Sequence, residues 1–210
     1  MHLVIFGSTG PTGRTLVAQA LDHGHDVIAV ARDPAAVYAP GARLQAVRAD
    51  VLDRTSLDGV LNGVDAVLSA LGAHGRRPTT VYSVGAANIR DAMHDAGIRR
   101  FIGISALPLT PRGALGPVER RILVPLLSVF FGEMYADMTR MEQLLHDSDL
   151  DFTIMRPPQL TNQRATGSYR TAINQHLPRA RRISRADLAA EMLRIIPDDK
   201  TVRATVSLAN

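Results

Sequence analysis

The chain opens on His2-Leu3-Val4-Ile5-Phe6-Gly7-Ser8-Thr9-Gly10-Pro11-Thr12-Gly13-Arg14. The first five residues are a short apolar run with strand character. The rest sets three glycines at GxxGxxG spacing ahead of a helical pattern. Each glycine has a physical reason to be there. Gly7 permits a tight turn off the strand, Gly10 lets backbone approach a pyrophosphate, and Gly13 lets the helix pack on the sheet. Free N–H groups at the helix start, at the positive end of its dipole, would hold the anion. A glycine-rich turn with no ligand is the competing reading, and context decides between them.

That context is a strand–helix alternation along the whole chain. Apolar runs predict strands at 2–6, 26–31, 43–47, 65–70, 100–105 and 152–156. Helical patterns fall at 13–23, 54–62, 80–96, 118–131, 134–147 and 185–195. Ser184 caps the last of these, with Asp187 at capping-box spacing. The expected class is α/β: a Rossmann-like, doubly wound parallel sheet with helices on both faces. One NAD(P)-binding domain is expected over 1–210, its C-terminal part from about 106 contributing the substrate side. No leader precedes the first strand, which together with the absence of Cys fits a cytoplasmic protein. The apolar run 122–131 contains Pro125 and is too short to span a bilayer, so a buried or interface helix is expected.

Composition excludes several chemistries. The 210 residues are 46% hydrophobic and 21% charged, the balance of a globular protein. Zero Cys removes disulfides, thiolate metal sites and cysteine nucleophiles. Lys200 is the one lysine among 24 basic residues, which excludes a GxxxxGK[ST] phosphate loop and a Schiff-base lysine in the body of the fold. The net charge of +4 raises nucleic acid as a partner, but aromatics are 4% without Trp and the arginines are scattered. His23 and His25 flank Gly24 as helix-end residues, and His74, His94, His146 and His176 lack ligand spacing, so no metal is expected.

About twenty residues after the glycine loop, the second strand ends in Val30-Ala31-Arg32-Asp33-Pro34. An acidic residue there would favour NAD by accepting from a ribose 2′-OH. Arg32 instead offers a guanidinium to a 2′-phosphate, with Arg14 as a second positive charge. Asp33, followed by Pro34, reads as a turn or helix cap. NADP(H) is therefore expected over NAD(H). Asp50-Val51 follows the third strand, where Asp50 has a plain reading as a helix cap. Leu71-Gly72-Ala73 ends the fourth strand at the carboxyl edge, where such sheets bind ligands.

These segments resemble the short-chain dehydrogenase superfamily in its atypical branches. Arg77-Pro78-Thr79-Thr80-Val81, Gly85-Ala86-Ala87-Asn88-Ile89, Ile104-Ser105-Ala106, Met155-Arg156-Pro157-Pro158, Thr166-Gly167-Ser168-Tyr169 and Ile183-Ser184-Arg185-Ala186-Asp187-Leu188 resemble the biliverdin-IXβ reductase, or flavin reductase, family and its NmrA-like relatives. The resemblance implies cofactor contacts at Gly7, Thr9, Gly10, Pro11, Thr12, Arg32, Asp50, Val51, Leu71, Gly72 and Ala73, with Ser105 and Ala106 beside the nicotinamide. It also implies a substrate side at Pro157-Pro158-Gln159. Gln159 and Met138 stand near the places of that family's substrate-side histidines, and the apolar segment between Ala106 and Tyr135 is longer. These departures put tetrapyrrole specificity in doubt.

The superfamily's tyrosine–lysine pair is missing, because Tyr135 is followed four residues later by Thr139. Tyr135 is thus poorly activated as an acid, and alcohol–ketone chemistry is disfavoured. A nucleotide-sugar epimerase is disfavoured for the same reason. Reduction of a conjugated small-molecule acceptor (flavin, quinone or tetrapyrrole-like) needs no protein acid, and Ser105 is the expected orienting group. The alternative is a non-catalytic NADP(H) sensor that docks a partner through 118–131. Either a monomer or a homodimer fits.

Overall fold

The computed structural model describes residues 1–37, 41–73, 79–109, 121 and 124–210, with backbone alone at 124–130. Ten strands and four α-helices are described: β1 His2–Phe6, α1 Pro11–Asp22, β2 Asp26–Ala31, β3 Leu44–Arg48, β4 Ala66–Ser69, α2 Ser83–Asp95, β5 Arg100–Ile104, α3 Val124–His146, β6 Asp151–Arg156, β7 Gln159–Thr161, β8 Arg170–Ile173, β9 Arg182–Ser184, α4 Arg185–Arg194 and β10 Ala204–Ala209. Eight strands form one sheet in the order β3-β2-β1-β4-β5-β6-β10-β8, and β7 and β9 pair separately. All neighbours run parallel except the edge strand β8, which is antiparallel to β10. The order reverses between β1 and β4, the switch point where doubly wound sheets open a crevice.

Side-chain alternation builds both faces. Leu3 and Ile5 of β1 point to α1 and α4, where Leu16, Val17, Leu188 and Met192 are buried. Val4 and Phe6 point the other way, to Ile89 and Met93 of α2 and Met138, Met141 and Leu145 of α3. Each face is closed by two helices, so the central strands read as continuous apolar runs.

The six expected strands and the doubly wound plan are present. The antiparallel edge strand β8 and the short strands β7 and β9 are additions to that plan, with too little pattern to announce themselves. The expected helix 54–62 is a single 3-10 turn, Arg54–Leu57, capped by the Asp53 side chain on Thr55 N–H. Gly59 and Gly63 then take φ of 74° and 71°, which ends helical winding. From Val124 onward the two helices expected at 118–131 and 134–147 are one helix through Gly132. Mid-helix glycine costs about 1 kcal/mol relative to alanine, a small penalty in a helix of 23 residues. The rest of that first segment, Arg121 apart, lies outside the described residues, as do His74, Arg76, Arg77 and Pro78. Ser184 caps α4 as expected, its Oγ accepting from Asp187 N–H. No helix among the described residues is long and apolar enough to cross a membrane.

Candidate functional site

The loop after β1 is held by backbone contact so close that side chains are excluded. Gly7 sits at φ 72°, and a Cβ there would lie 2.4 Å from the Ala70 carbonyl oxygen. A Cβ on Gly13 would lie 2.0 Å from the Gly7 carbonyl oxygen, so both positions admit only glycine without backbone movement. Around Gly10 there is room: its Cβ would meet only the Gly7 carbonyl, at 3.4 Å. Gly10 N–H donates to Gly7 C=O at 3.0 Å, and the first helical bond of α1 is Arg14 N–H to Gly10 C=O at 2.9 Å. The N–H groups of Thr12 and Gly13 precede that bond, and no side chain caps the helix. Open space at Gly10 beside uncapped helix-start amides fits a pyrophosphate. Ser8 Oγ donates to Val30 C=O at 2.8 Å, fastening the loop to the end of β2.

Arg32 follows β2 directly and is exposed. Among the described residues it has no hydrogen bond or ion pair, so its guanidinium is available. Asp33 is occupied as a cap, its Oδ1 accepting from Ala35 N–H at 3.1 Å. Arg14 is exposed, and its Nε donates to Thr9 C=O at 2.9 Å, which ties it to the glycine loop. Asp50 caps its own turn, with Oδ1 accepting from Leu52 N–H at 3.0 Å. Asn88 of α2 donates to Val51 C=O at 2.8 Å. Gly85 packs its backbone on Leu71 and Val51, where a Cβ would meet each at 3.2 Å. Through Gly85 and Asn88, α2 aligns the loops that follow β3 and β4.

The third wall is Leu71-Gly72-Ala73. Ala73 N–H donates to the Tyr82 hydroxyl at 3.0 Å, and Tyr82 N–H donates to Asp137 Oδ2 at 2.9 Å. Ser83 Oγ and Arg140 also donate to Asp137, whose carboxylate is wholly buried. Burial pushes the Tyr82 phenol above its usual pKa.

At the ends of β5 and β6 a second buried carboxylate organises the site. Ser105 is buried and its Oγ donates to Glu142 Oε1 at 2.6 Å. Arg156 binds the same carboxylate through two nitrogens, Nε at 3.0 Å and Nη2 to the other oxygen. Its side chain is 12% exposed and that of Glu142 9%, so both charges are shielded. Arg156 leads straight into Pro157 and Pro158, and Leu107 N–H donates to Pro157 C=O at 3.0 Å. Ala106 and Pro158 are half-buried beside this network, and Gln159 is exposed at the start of β7. Tyr135 is half-buried on α3, with the Phe131 ring 6.1 Å away; burial raises its pKa above the usual phenol value. Thr139, four residues on, bonds the Tyr135 carbonyl and supplies no charge.

Sequence reasoning missed Tyr82, Asp137, Glu142 and Arg156. The available signal was on α3, where Asp137 and Glu142 interrupt the apolar stripe Met138, Met141, Leu145. A carboxylate within a buried face must find partners. No cluster of three or more metal-ligating side chains exists among the described residues.

A family model described as NAD(P)H-binding matches residues 7–199. A chloroplast protein of Arabidopsis thaliana is 31% identical over 175 residues, covering 78% of this chain and 61% of its own length. The photosystem II assembly factor Ycf39 of Synechocystis is 30% identical, covering 74% of this chain and 44% of its own. The chain therefore spans less than two thirds of either relative. A Bacillus subtilis protein named sugar epimerase YhfK is 29% identical over 96% of this chain and 90% of its own. Among solved structures, the oxidoreductase ylbE of Lactococcus lactis superposes with a TM-score of 0.85 at 25% identity, covering all of this chain and 91% of its own. A Veillonella parvula short-chain dehydrogenase/reductase in complex with NADP reaches 0.83 at 17% identity, covering all of this chain and 94% of its own, and so shares the fold. With its glycine cradle, open Gly10 and matching family model, the chain belongs to the NAD(P)H-binding family of Rossmann-like proteins.

Proposed function

We propose that the protein is an NADPH-dependent reductase of a conjugated acceptor such as a flavin or quinone. One observation carries the cofactor choice: Arg32 follows β2 directly, exposed and without a partner among the described residues, while the neighbouring Asp33 is consumed as a cap. Gly7, Gly10 and the amides of Thr12 and Gly13 hold the pyrophosphate. Asp50 and Val51 flank the adenine, and Leu71–Ala73 the nicotinamide ribose, with Ala106 alongside. The segment from about 106 onward supplies the substrate side, with Tyr135, Pro158 and Gln159 lining it. When bound, the dihydronicotinamide supplies a hydride, and a proton from water completes reduction of the acceptor. The chain's own residues position and desolvate. Ser105, its proton committed to Glu142, orients the nicotinamide or acceptor through its remaining lone pairs.

The missing tyrosine–lysine pair supports an acceptor that needs no protein acid. The same absence stands against an epimerase, whatever the name of the Bacillus relative. A second reading, an NADP(H) sensor without turnover, draws on the buried, occupied Ser105 hydroxyl and on the assembly-factor relative. The deciding experiment follows loss of nicotinamide absorbance from NADPH and from NADH with FMN, riboflavin, a quinone and biliverdin. Oxidation above the protein-free rate, faster with NADPH, is expected. Tight NADPH binding without oxidation by any of the four would favour the sensor.

A further inference from the structure

The wall formed by the ends of β5 and β6 is nearly empty of hydrogen-bond donors. Ser105 N–H is spent on Met155 C=O at 2.8 Å, and Leu107 N–H on Pro157 C=O at 3.0 Å. Pro157 and Pro158 have no N–H to offer. Arg156 commits Nε and Nη2 to Glu142. Of the main chain at 105–107, Ala106 N–H alone makes no hydrogen bond among the described residues.

The Ser105 hydroxyl lies on the α3 side of this wall. Strand alternation sets Phe101, Gly103 and Ser105 on one side of β5, with Ile102 and Ile104 on the other. Leu71, Ala73, Ala106 and Tyr135 pack on the Phe101 side as well, so Ser105 shares it with the loop after β4. Its single proton goes to Glu142 Oε1 at 2.6 Å, and a carboxylate can only accept. Arg156 holds both oxygens of that carboxylate and so fixes its orientation. Turning the serine proton away would break a charge-assisted bond in a buried place, an orientation disfavoured roughly 10- to 150-fold. Donation to a carboxylate also makes the serine oxygen a stronger acceptor.

We infer that Glu142 and Arg156 are positioning residues that hold Ser105 as an acceptor-only hydroxyl, and that the ligand atom it meets is an N–H. A flavin or pyrrolic ring in the molecule being reduced brings one, and so does the carboxamide of the nicotinamide. A quinone, whose polar atoms are carbonyl oxygens, brings none and would set lone pair against lone pair. A site built to receive an N–H rejects the analogue that lacks it. Ser105 is placed beside the nicotinamide by the reductase reading, on which this rests. Where the ring is the source, that reading narrows to flavin-like molecules over quinones.

Two ligand pairs test this without turnover. Riboflavin and riboflavin methylated at its ring N–H are titrated by flavin fluorescence into protein saturated with NADP+. NADP+ and its acetylpyridine analogue, in which a methyl replaces the carboxamide nitrogen, are compared by calorimetry. The N–H member of at least one pair should bind about three- to tenfold tighter, and the pair that shows it identifies the source. That preference should vanish in Ser105→Ala, return in Ser105→Thr, and shrink in Glu142→Gln, where a neutral partner holds the proton less firmly. A general loss of packing would weaken both members alike and leave their ratio where it was. No preference in either pair, or one that survives Ser105→Ala, overturns the acceptor-only serine. A preference lost in Ser105→Ala yet untouched in Glu142→Gln removes the positioning role. Ser105-dependent preference with neither flavin nor quinone reduced by NADPH breaks the reductase reading alone. Riboflavin reduced by NADPH without any such preference breaks the Ser105 assignment alone.

Discussion

The two ends of the candidate site are built by different means. The cofactor end is made of backbone: Gly7 against Ala70, Gly13 against Gly7, and the uncapped amides of α1. The proposed substrate end is made of side chains from separate elements: Ser105 of the β5 end with Glu142 of α3, and Glu142 with Arg156 of β6. Backbone construction tolerates no added atom yet asks little of neighbouring side chains. Side-chain construction tolerates shape changes but no loss of a partner, because the remaining charge is left buried.

Truncation of Glu142 should therefore have the largest effect. Glu142→Ala strands a largely buried guanidinium and a serine donor, and about 3–5 kcal/mol of stability should go. Glu142→Gln, which keeps an acceptor for Ser105, should lose less. Denaturant unfolding checks both, and equal losses would deny the charge pairing its weight. Next comes Gly13→Ala, where a methyl 2.0 Å from a carbonyl forces the loop apart. About 1–3 kcal/mol of stability should be lost, together with NADPH affinity measured by nucleotide fluorescence. Wild-type affinity in that variant would sink the cradle.

Arg32→Ala should leave stability alone, since the side chain is exposed and has no partner among the described residues. NADPH affinity should fall roughly 10- to 150-fold, the equivalent of about 1.5–3 kcal/mol, while NADH binding changes little. Equal effects on both cofactors would remove the 2′-phosphate assignment. The smallest effect concerns pH. Burial alone would raise the Asp187 carboxyl, but hydrogen bonds from Ser184, the Gly167 and Thr166 amides and the Thr166 hydroxyl hold it below its ordinary value. A depressed folded-state pKa contributes stability that is fully present above the unfolded value of about 3.9 and is lost as pH falls from there through the lower folded value. Asp187→Asn should flatten this acid limb of the stability–pH curve, and an unchanged limb would assign acid unfolding elsewhere.

How much could be read from the sequence follows the same division. GxxGxxG, Arg32 and the strand–helix rhythm are local, because turn chemistry and periodicity act over a few residues. Asp33 and Ser184 were legible as caps for that reason. The partners of Ser105 were not, since Glu142 lies 37 residues away and only the crossing of α3 over β5 and β6 unites them. The helix expected at 54–62 failed where Gly59 and Gly63 adopt left-handed φ, a choice that an apolar pattern does not record. β7 and β9, each three residues long, are defined by their register and carry no pattern of their own.

One small contact has a kinetic consequence. The Ser8 hydroxyl on the Val30 carbonyl ties the glycine loop to the neighbouring strand from within the protein, with no nucleotide required. The receiving surface is thus assembled before any ligand arrives, and little ordering entropy is left to be spent at the moment of encounter. Nucleotide capture at this end should proceed in a single phase whose rate rises linearly with concentration, limited by collision rather than by rearrangement of the loop.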